Sequence, residues 1–158
     1  MFKKIVIASA LALMASASFA QTAPSVYAGV DVGTLDIDDY DGSETTAGVF
    51  VGYNFNENFA LEGGYRQAKF DFFKVKQTSL SVIGTLPLSN GFNVYGRLGY
   101  NDINTKVTNS AYTVDVDSGA VYGVGAGYAF TPTISGRVEY QKPTSDSSII
   151  MAGLSFKF

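Results

Sequence analysis

Apolar and polar positions alternate along most of this chain. In the last ten residues, "IIMAGLSFKF", Ile150, Ala152, Leu154, Phe156 and Phe158 share one side of an extended strand. Ile149, Met151, Gly153, Ser155 and Lys157 share the other. Alternation with a period of two is the signal of a β-strand. It recurs in eight segments, at about 25–35, 44–55, 59–67, 77–87, 92–101, 119–130, 133–141 and 148–158. One frame of each segment is apolar and uncharged, as in Val26, Ala28, Val30 and Val32, or Leu80, Val82, Gly84 and Leu86. The charges collect in the opposite frame, at Asp31, Glu62, Arg66, Arg97, Arg137, Glu139 and Lys157.

Three connections between segments are tight: "NFNEN" at 54–58, "PLSNG" at 87–91 and "FTPT" at 130–133. Asn, Gly and Pro accept or pre-set the backbone angles of such turns. The others, at 36–43 and around 68–76, 102–118 and 142–147, are longer and more polar. Short and long connections therefore alternate, which predicts short turns at one end of the molecule and long loops at the other. An internal repeat supports this. "GVFVGYNFNENFALEGGY" (48–65) and "GVGAGYAFTPTISGRVEY" (123–140) have the same length and coincide at Gly48/Gly123, Gly52/Gly127, Tyr53/Tyr128, Phe55/Phe130 and Tyr65/Tyr140. Each copy reads as a hairpin about a short turn.

A soluble sandwich would bury its apolar frame and leave its charged frame in water. Here the charged frame also holds many small residues, among them Gly29, Gly52, Gly99, Gly125 and Gly127, which suit the crowded inside of a narrow barrel. The aromatics of the apolar frame sit near strand ends, at Tyr53, Phe55, Phe59, Tyr65, Phe92, Tyr100, Tyr128, Phe130, Tyr140, Phe156 and Phe158. That spacing makes two girdles at membrane interfaces. The expected fold is therefore all-β: an eight-stranded antiparallel up-and-down transmembrane β-barrel. Lipid covers the apolar frame of the last strand, and its edge closes on the first, since no open edge can face hydrocarbon.

The N-terminus changes the picture once more. "MFKKIVIASALALMASASFA" has two lysines, an apolar run, and small residues at Ser18 and Ala20 before Gln21, the layout of a cleavable signal peptide. The expected domains are a signal peptide over 1–20 and a barrel over 21–158. Removing Lys3 and Lys4 takes the formal net charge from −3 to −5. An acidic surface argues against a nucleic-acid partner. There is no Cys, so the chain is not a disulfide-stapled secreted module. No apolar run after residue 20 reaches the length of a membrane-spanning helix.

The segments "SVYAGVDVG", "GYNFNENFALEGGYR", "LPLSNGFNVYGRLGY", "YGVGAGYAFTPTISGRVEYQ" and "GLSFKF" together resemble the small outer-membrane β-barrel family, that of outer membrane protein A and the opacity-type surface proteins. The resemblance spans essentially the whole expected mature chain. It implies an integral place in the outer membrane, contact with outer-membrane lipid and lipopolysaccharide, and a monomer. It also implies that Leu154, Phe156 and Phe158 carry the signal read by the barrel-assembly machinery. Larger relatives continue into a peptidoglycan-binding domain. The chain ends at Phe158, so no such domain is expected.

Barrel enzymes of the outer membrane use a catalytic His, and the chain has none, so Ser79 and Ser81 lack an imidazole base. The expectation is no enzyme, cofactor or metal. The acidic loop with Asp36, Asp38, Asp39 and Asp41 misses the spacing of a calcium loop. Glu62 and Arg137 occupy equivalent sites in the repeat, on strands three and seven, which face each other across an eight-stranded ring. With Arg97 they are expected to plug the lumen, such that exchanging the charges of Glu62 and Arg137 retains the pairing. The inner frame of strand six, Val121, Gly123, Gly125 and Gly127, suggests free volume and a narrow leak. The expected role is structural or surface-interacting, with a low-conductance pore for ions or small solutes as the alternative. Phe70, Phe72 and Phe73 read either as an adhesive or headgroup-level patch, or as part of strands that extend past the membrane.

Overall fold

Alternation places each segment in a sheet that closes on itself. In a computed structural model, residues 24–37, 43–69, 73–107, 113–144 and 147–158 are described. They form β1 (Ser25–Ile37), β2 (Ser43–Asn54), β3 (Phe59–Lys69), β4 (Phe73–Pro87), β5 (Phe92–Val107), β6 (Thr113–Ala129), β7 (Ile134–Thr144) and β8 (Ser147–Lys157). Each strand pairs antiparallel with its neighbours in sequence, and β8 pairs with β1 to close the barrel. That seam runs from Tyr27↔Lys157 to Ile37↔Ser147. The terminal strand thus has no free edge.

The expected signal peptide and its boundary at Ala20 and Gln21 lie outside the described residues, as do Phe70 and Phe72. The long loops are a correction. The connections at that end, 38–42, 70–72, 108–112 and 145–146, run from two to five residues, against four in each of the turns at 55–58, 88–91 and 130–133. What lengthens is the strands. Beyond the membrane-facing girdle the residues turn polar, yet β3 to β7 keep their hydrogen-bond ladders, because a ladder needs a partner strand and not an apolar face.

The three described turns share one end with both barrel termini. Each is closed by a backbone bond: Phe55 N–H donates to Phe59 O (2.9 Å), Leu88 to Phe92 (2.7 Å) and Phe130 to Ile134 (3.0 Å). Asn56 Oδ1 accepts from the amides of Asn58 and Phe59, both at 2.8 Å. Thr131 Oγ1 accepts from Ile134 N–H at 2.9 Å. Asn90 and Gly91 adopt positive φ, 60° and 82°, which Asn and Gly tolerate best.

The apolar frame faces outward. Val30, Val32, Val49, Leu98, Val124, Val138 and Leu154 are all more than half exposed. Such a continuous apolar surface is stable only in lipid. Aromatic pairs, mostly edge-to-face, ring the turn end: Tyr53–Phe55, Phe92–Tyr128, Tyr128–Phe130 and Phe156–Phe158, with centroids 4.6 to 5.3 Å apart. At the loop end the outward aromatics are Tyr65, Tyr100, Tyr122 and Tyr140.

Inside, size alternates across strand pairs. Tyr27 stands in register with Gly52, Phe50 with Gly29 and Tyr95 with Gly125. A Cβ on any of those glycines would lie 2.1 to 2.4 Å from the partner ring. Of the free volume expected beside β6, the part at Gly125 is filled, while Gly127 borders a cavity at the turn end. The Tyr95 ring lies over Gly125, and the Asn93 amide over Gly127.

Candidate functional site

The charges of the central layer come from the odd-numbered strands, and small residues on the even-numbered strands give them room. Asp31 is on β1, Glu62 and Arg66 on β3, Arg97 on β5, and Arg137 and Glu139 on β7. They join into one chain of alternating sign. Arg97 Nε meets Glu139 Oε1 at 2.5 Å and its Nη2 meets Glu62 Oε1 at 2.6 Å. Glu62 Oε2 meets Arg137 Nη1 at 2.7 Å. Arg137 Nη2 lies 3.6 Å from Asp31 Oδ2, and Asp31 Oδ1 is 2.8 Å from Arg66 Nη2. Three cations balance three anions, and Glu62 is 1% exposed. In such a poorly solvated layer the contacts between opposite charges offset the cost of burying them.

Neutral groups complete the layer. Tyr27 Oη donates to Glu62 Oε2 and Tyr95 Oη to Glu139 Oε2, both at 2.8 Å. Arg66 Nη1 donates to Gln141 Oε1 at 2.9 Å. The Arg137 guanidinium lies 3.6 Å above the Phe50 ring. Tyr27, Phe50, Tyr95 and Gln141 escaped the sequence reading, although each has the inward parity of its strand. Girdle aromatics dominate the pattern of the chain, and an inward aromatic differs from those only by frame.

Six of the seven expected lumen charges thus meet. Lys157 stands apart, at the wall of a cavity of about 290 Å³ at the turn end, with Ser25, Asn54, Glu57 and Asn93. That cavity reaches inward to Tyr27, Glu62 and Arg137 and stops there. Among the charges a cavity of about 10 Å³ lies between Asp31, Glu62, Arg66, Arg97 and Arg137, about the size of a single water. On its loop side Leu35, Ala68, Ile149 and Met151 pack together with Val75. Along its axis the lumen therefore runs from a polar vestibule through an ionic layer to an apolar one. Arg137 contacts Glu62 and Asp31, while Glu139 serves Arg97. Glu62 binds both Arg97 and Arg137, and Arg137 also faces Asp31, so the expected Glu62–Arg137 contact is part of a longer chain.

Glu62 and Glu139 are both held by guanidinium groups. Among the described residues there is no cluster of three or more His, Cys, Asp or Glu side chains that could hold a metal. Leu154, Phe156 and Phe158 line the outer face of β8, and Phe158 N–H donates to Val26 O at 2.9 Å.

Comparison with known proteins agrees with this architecture. The chain is 31% identical to outer membrane protein A of Salmonella typhi over 194 aligned positions, covering 99% of this chain and 55% of the relative. It is 30% identical to outer membrane protein P5 of Haemophilus influenzae, covering 88% and 50%. The chain thus spans about half the length of the curated relatives it matches. The N-terminal barrel of Pseudomonas aeruginosa OprF superposes with a TM-score of 0.63 at 18% identity, covering 84% of this chain and 97% of that one, a likeness of fold. The model of the outer membrane protein beta-barrel domain matches residues 5–158, so the chain belongs to that family of integral outer-membrane barrels.

Proposed function

We propose that this protein is a closed outer-membrane barrel whose role is structural or surface-interacting, with the turn end in the periplasm and the loop end outside. The observation that carries this reading is the unbroken ionic chain from Glu139 to Arg66, with a cavity of about 10 Å³ within it. Ions need a hydrated path, and an eight-stranded barrel is just wide enough for side chains to fill. No catalytic role is proposed, because the buried carboxylates are committed to arginines.

The alternative, a narrow low-conductance pore, draws support from the vestibule of about 290 Å³, which brings solvent as far as Glu62. Single-channel recording of the refolded protein in planar bilayers separates the two. The closed reading expects no steady conductance from the wild type, and discrete openings once Glu62→Ala removes the centre of the chain. A wild type that conducts steadily overturns it in favour of the pore.

A further inference from the structure

The vestibule at the turn end is divided into a polar rim and an apolar floor. Its rim is built from hydroxyls and amides: Ser25, Asn54, Thr85, Asn93, Ser135 and Ser155 line it from six different strands. Two residues deeper on β1, β4 and β5 come Tyr27, Ile83 and Tyr95, and with Ala60 these pack into one apolar cluster. The hydroxyls of Tyr27 and Tyr95 are committed to Glu62 and Glu139. What the two tyrosines bring to the vestibule is therefore ring surface.

The rim is largely uncommitted. Ser25 Oγ accepts from Asn54 Nδ2 at 3.1 Å. The side chains of Thr85, Asn93, Ser135 and Ser155 have no hydrogen-bond partner among the described residues. Ser135 and Ser155 stand side by side in register. Each hydroxyl donates once and accepts twice, and the Asn93 amide does both. Outside the ionic layer the charged lining residues are Lys157 and Glu57, of opposite sign, so the wall carries no net charge that would select an ion.

Neutral hydrogen-bonding groups around an apolar, partly aromatic floor complement a molecule divided in the same way. A pyranose is such a molecule. Its edge carries hydroxyls that donate and accept, and its faces carry C–H groups that rest on aromatic rings. The cavity of about 290 Å³ lies just below the range of small-molecule sites, about 300–1,000 Å³, a size that suits a single ring.

We propose that the vestibule binds one neutral pyranose, its hydroxyls on Thr85, Asn93, Ser135 and Ser155 and one face on the floor of Tyr27, Ile83 and Tyr95. This goes beyond the closed-barrel reading. The ionic layer ends the vestibule, so the sugar is held there and not passed on. In the orientation proposed above the mouth opens to the periplasm, but binding does not depend on that orientation.

The test uses the folded protein in dodecylphosphocholine micelles, a detergent without a sugar headgroup, and follows its amide resonances by NMR. The probes are D-glucose, open-chain sorbitol and glucuronate. Glucose is expected to shift the Asn93 side-chain amide and the backbone amides of Ser135 and Ser155 along one saturable curve. Sorbitol, which must be ordered on binding, is expected to bind about fivefold more weakly, and glucuronate no more tightly than glucose. Asn93→Ala combined with Ser155→Ala is expected to weaken glucose binding about tenfold, at about threefold for each lost hydrogen bond. Thr34→Ala removes an outward hydroxyl at the loop end and is expected to bind glucose as the wild type does. If the double variant does not fold, Ser135→Ala alone is expected to weaken binding about threefold. Shifts that rise linearly with glucose and never saturate mean a merely hydrated mouth and overturn the site, as does undiminished binding by the variants. Equal binding of sorbitol overturns the ring as the occupant, and tighter binding of glucuronate overturns its neutrality. A gel shift on heating is followed in parallel. Its persistence in a protein that binds no glucose refutes the site and spares the barrel, whereas its absence in the wild type overturns the barrel and the site with it.

Discussion

Glu62 is the residue on which the lumen turns. It accepts from Arg97, Arg137 and Tyr27 at 2.6 to 2.8 Å. Truncating it strands two guanidinium groups in a buried layer, and Glu62→Ala is expected to cost about 3–5 kcal/mol in urea unfolding from lipid vesicles. The charge exchange behaves differently from the simple pairwise expectation. Arg137→Glu sets a third carboxylate against Glu62 and Asp31. Adding Glu62→Arg repairs that contact but sets the new arginine against Arg97, so the double variant is expected to recover little stability. A double variant near wild-type stability would show that Arg97 is satisfied by Glu139 alone. The sequence repeat revealed the Glu62 and Arg137 encounter, because equivalent sites on opposite strands point to one axis. It could not reveal that Arg97 bridges Glu62 to Glu139, because axial height depends on the stagger of strands distant in sequence.

At the scale of elements, the interior is built from matched pairs across neighbouring strands. Tyr95 lies over Gly125, whose added Cβ would also come within 2.7 Å of the Val138 carbonyl. Gly125→Val is therefore expected to displace Tyr95 from Glu139 and to destabilise the barrel by about 1–3 kcal/mol, the usual penalty of overpacking. Gly96, on the outer face, would meet nothing within 4 Å. Gly96→Ala is expected to leave stability within about 0.5 kcal/mol, and comparing the two unfolding midpoints checks the assignment of faces. Those faces were legible because alternation has a period of two and lipid tolerates no charge. The strand ends were not. In β5 the run from Asn101 to Val107 reads as a polar loop, yet it stays paired with β4 and β6. Hydropathy reports where lipid stops, and pairing continues beyond that point.

For the whole molecule, exposure and polarity are inverted relative to a soluble protein. Val124 is 63% exposed, near the middle of the apolar band, while Glu62 is buried. Val124→Arg is expected to cost about 2–4 kcal/mol in a bilayer, as for a cation near the midplane, and the penalty should largely vanish in urea unfolding from a thin detergent micelle. An equal cost in both media would argue against lipid as the covering phase. The β1–β8 seam has a consequence in time. It joins residues more than 100 positions apart, from Ile37↔Ser147 to Tyr27↔Lys157, so it is the contact with the greatest loop-closure entropy. Asp31 lies on one side of that seam, and Arg137 is one strand beyond the other. Until the seam forms, both face the breach. A half-closed intermediate would present an open charged layer and two unpaired edges to hydrocarbon, a state too costly to accumulate. The chain therefore has no stable resting point between an unfolded form outside the bilayer and the finished barrel within it. Insertion and circularisation are a single kinetic event.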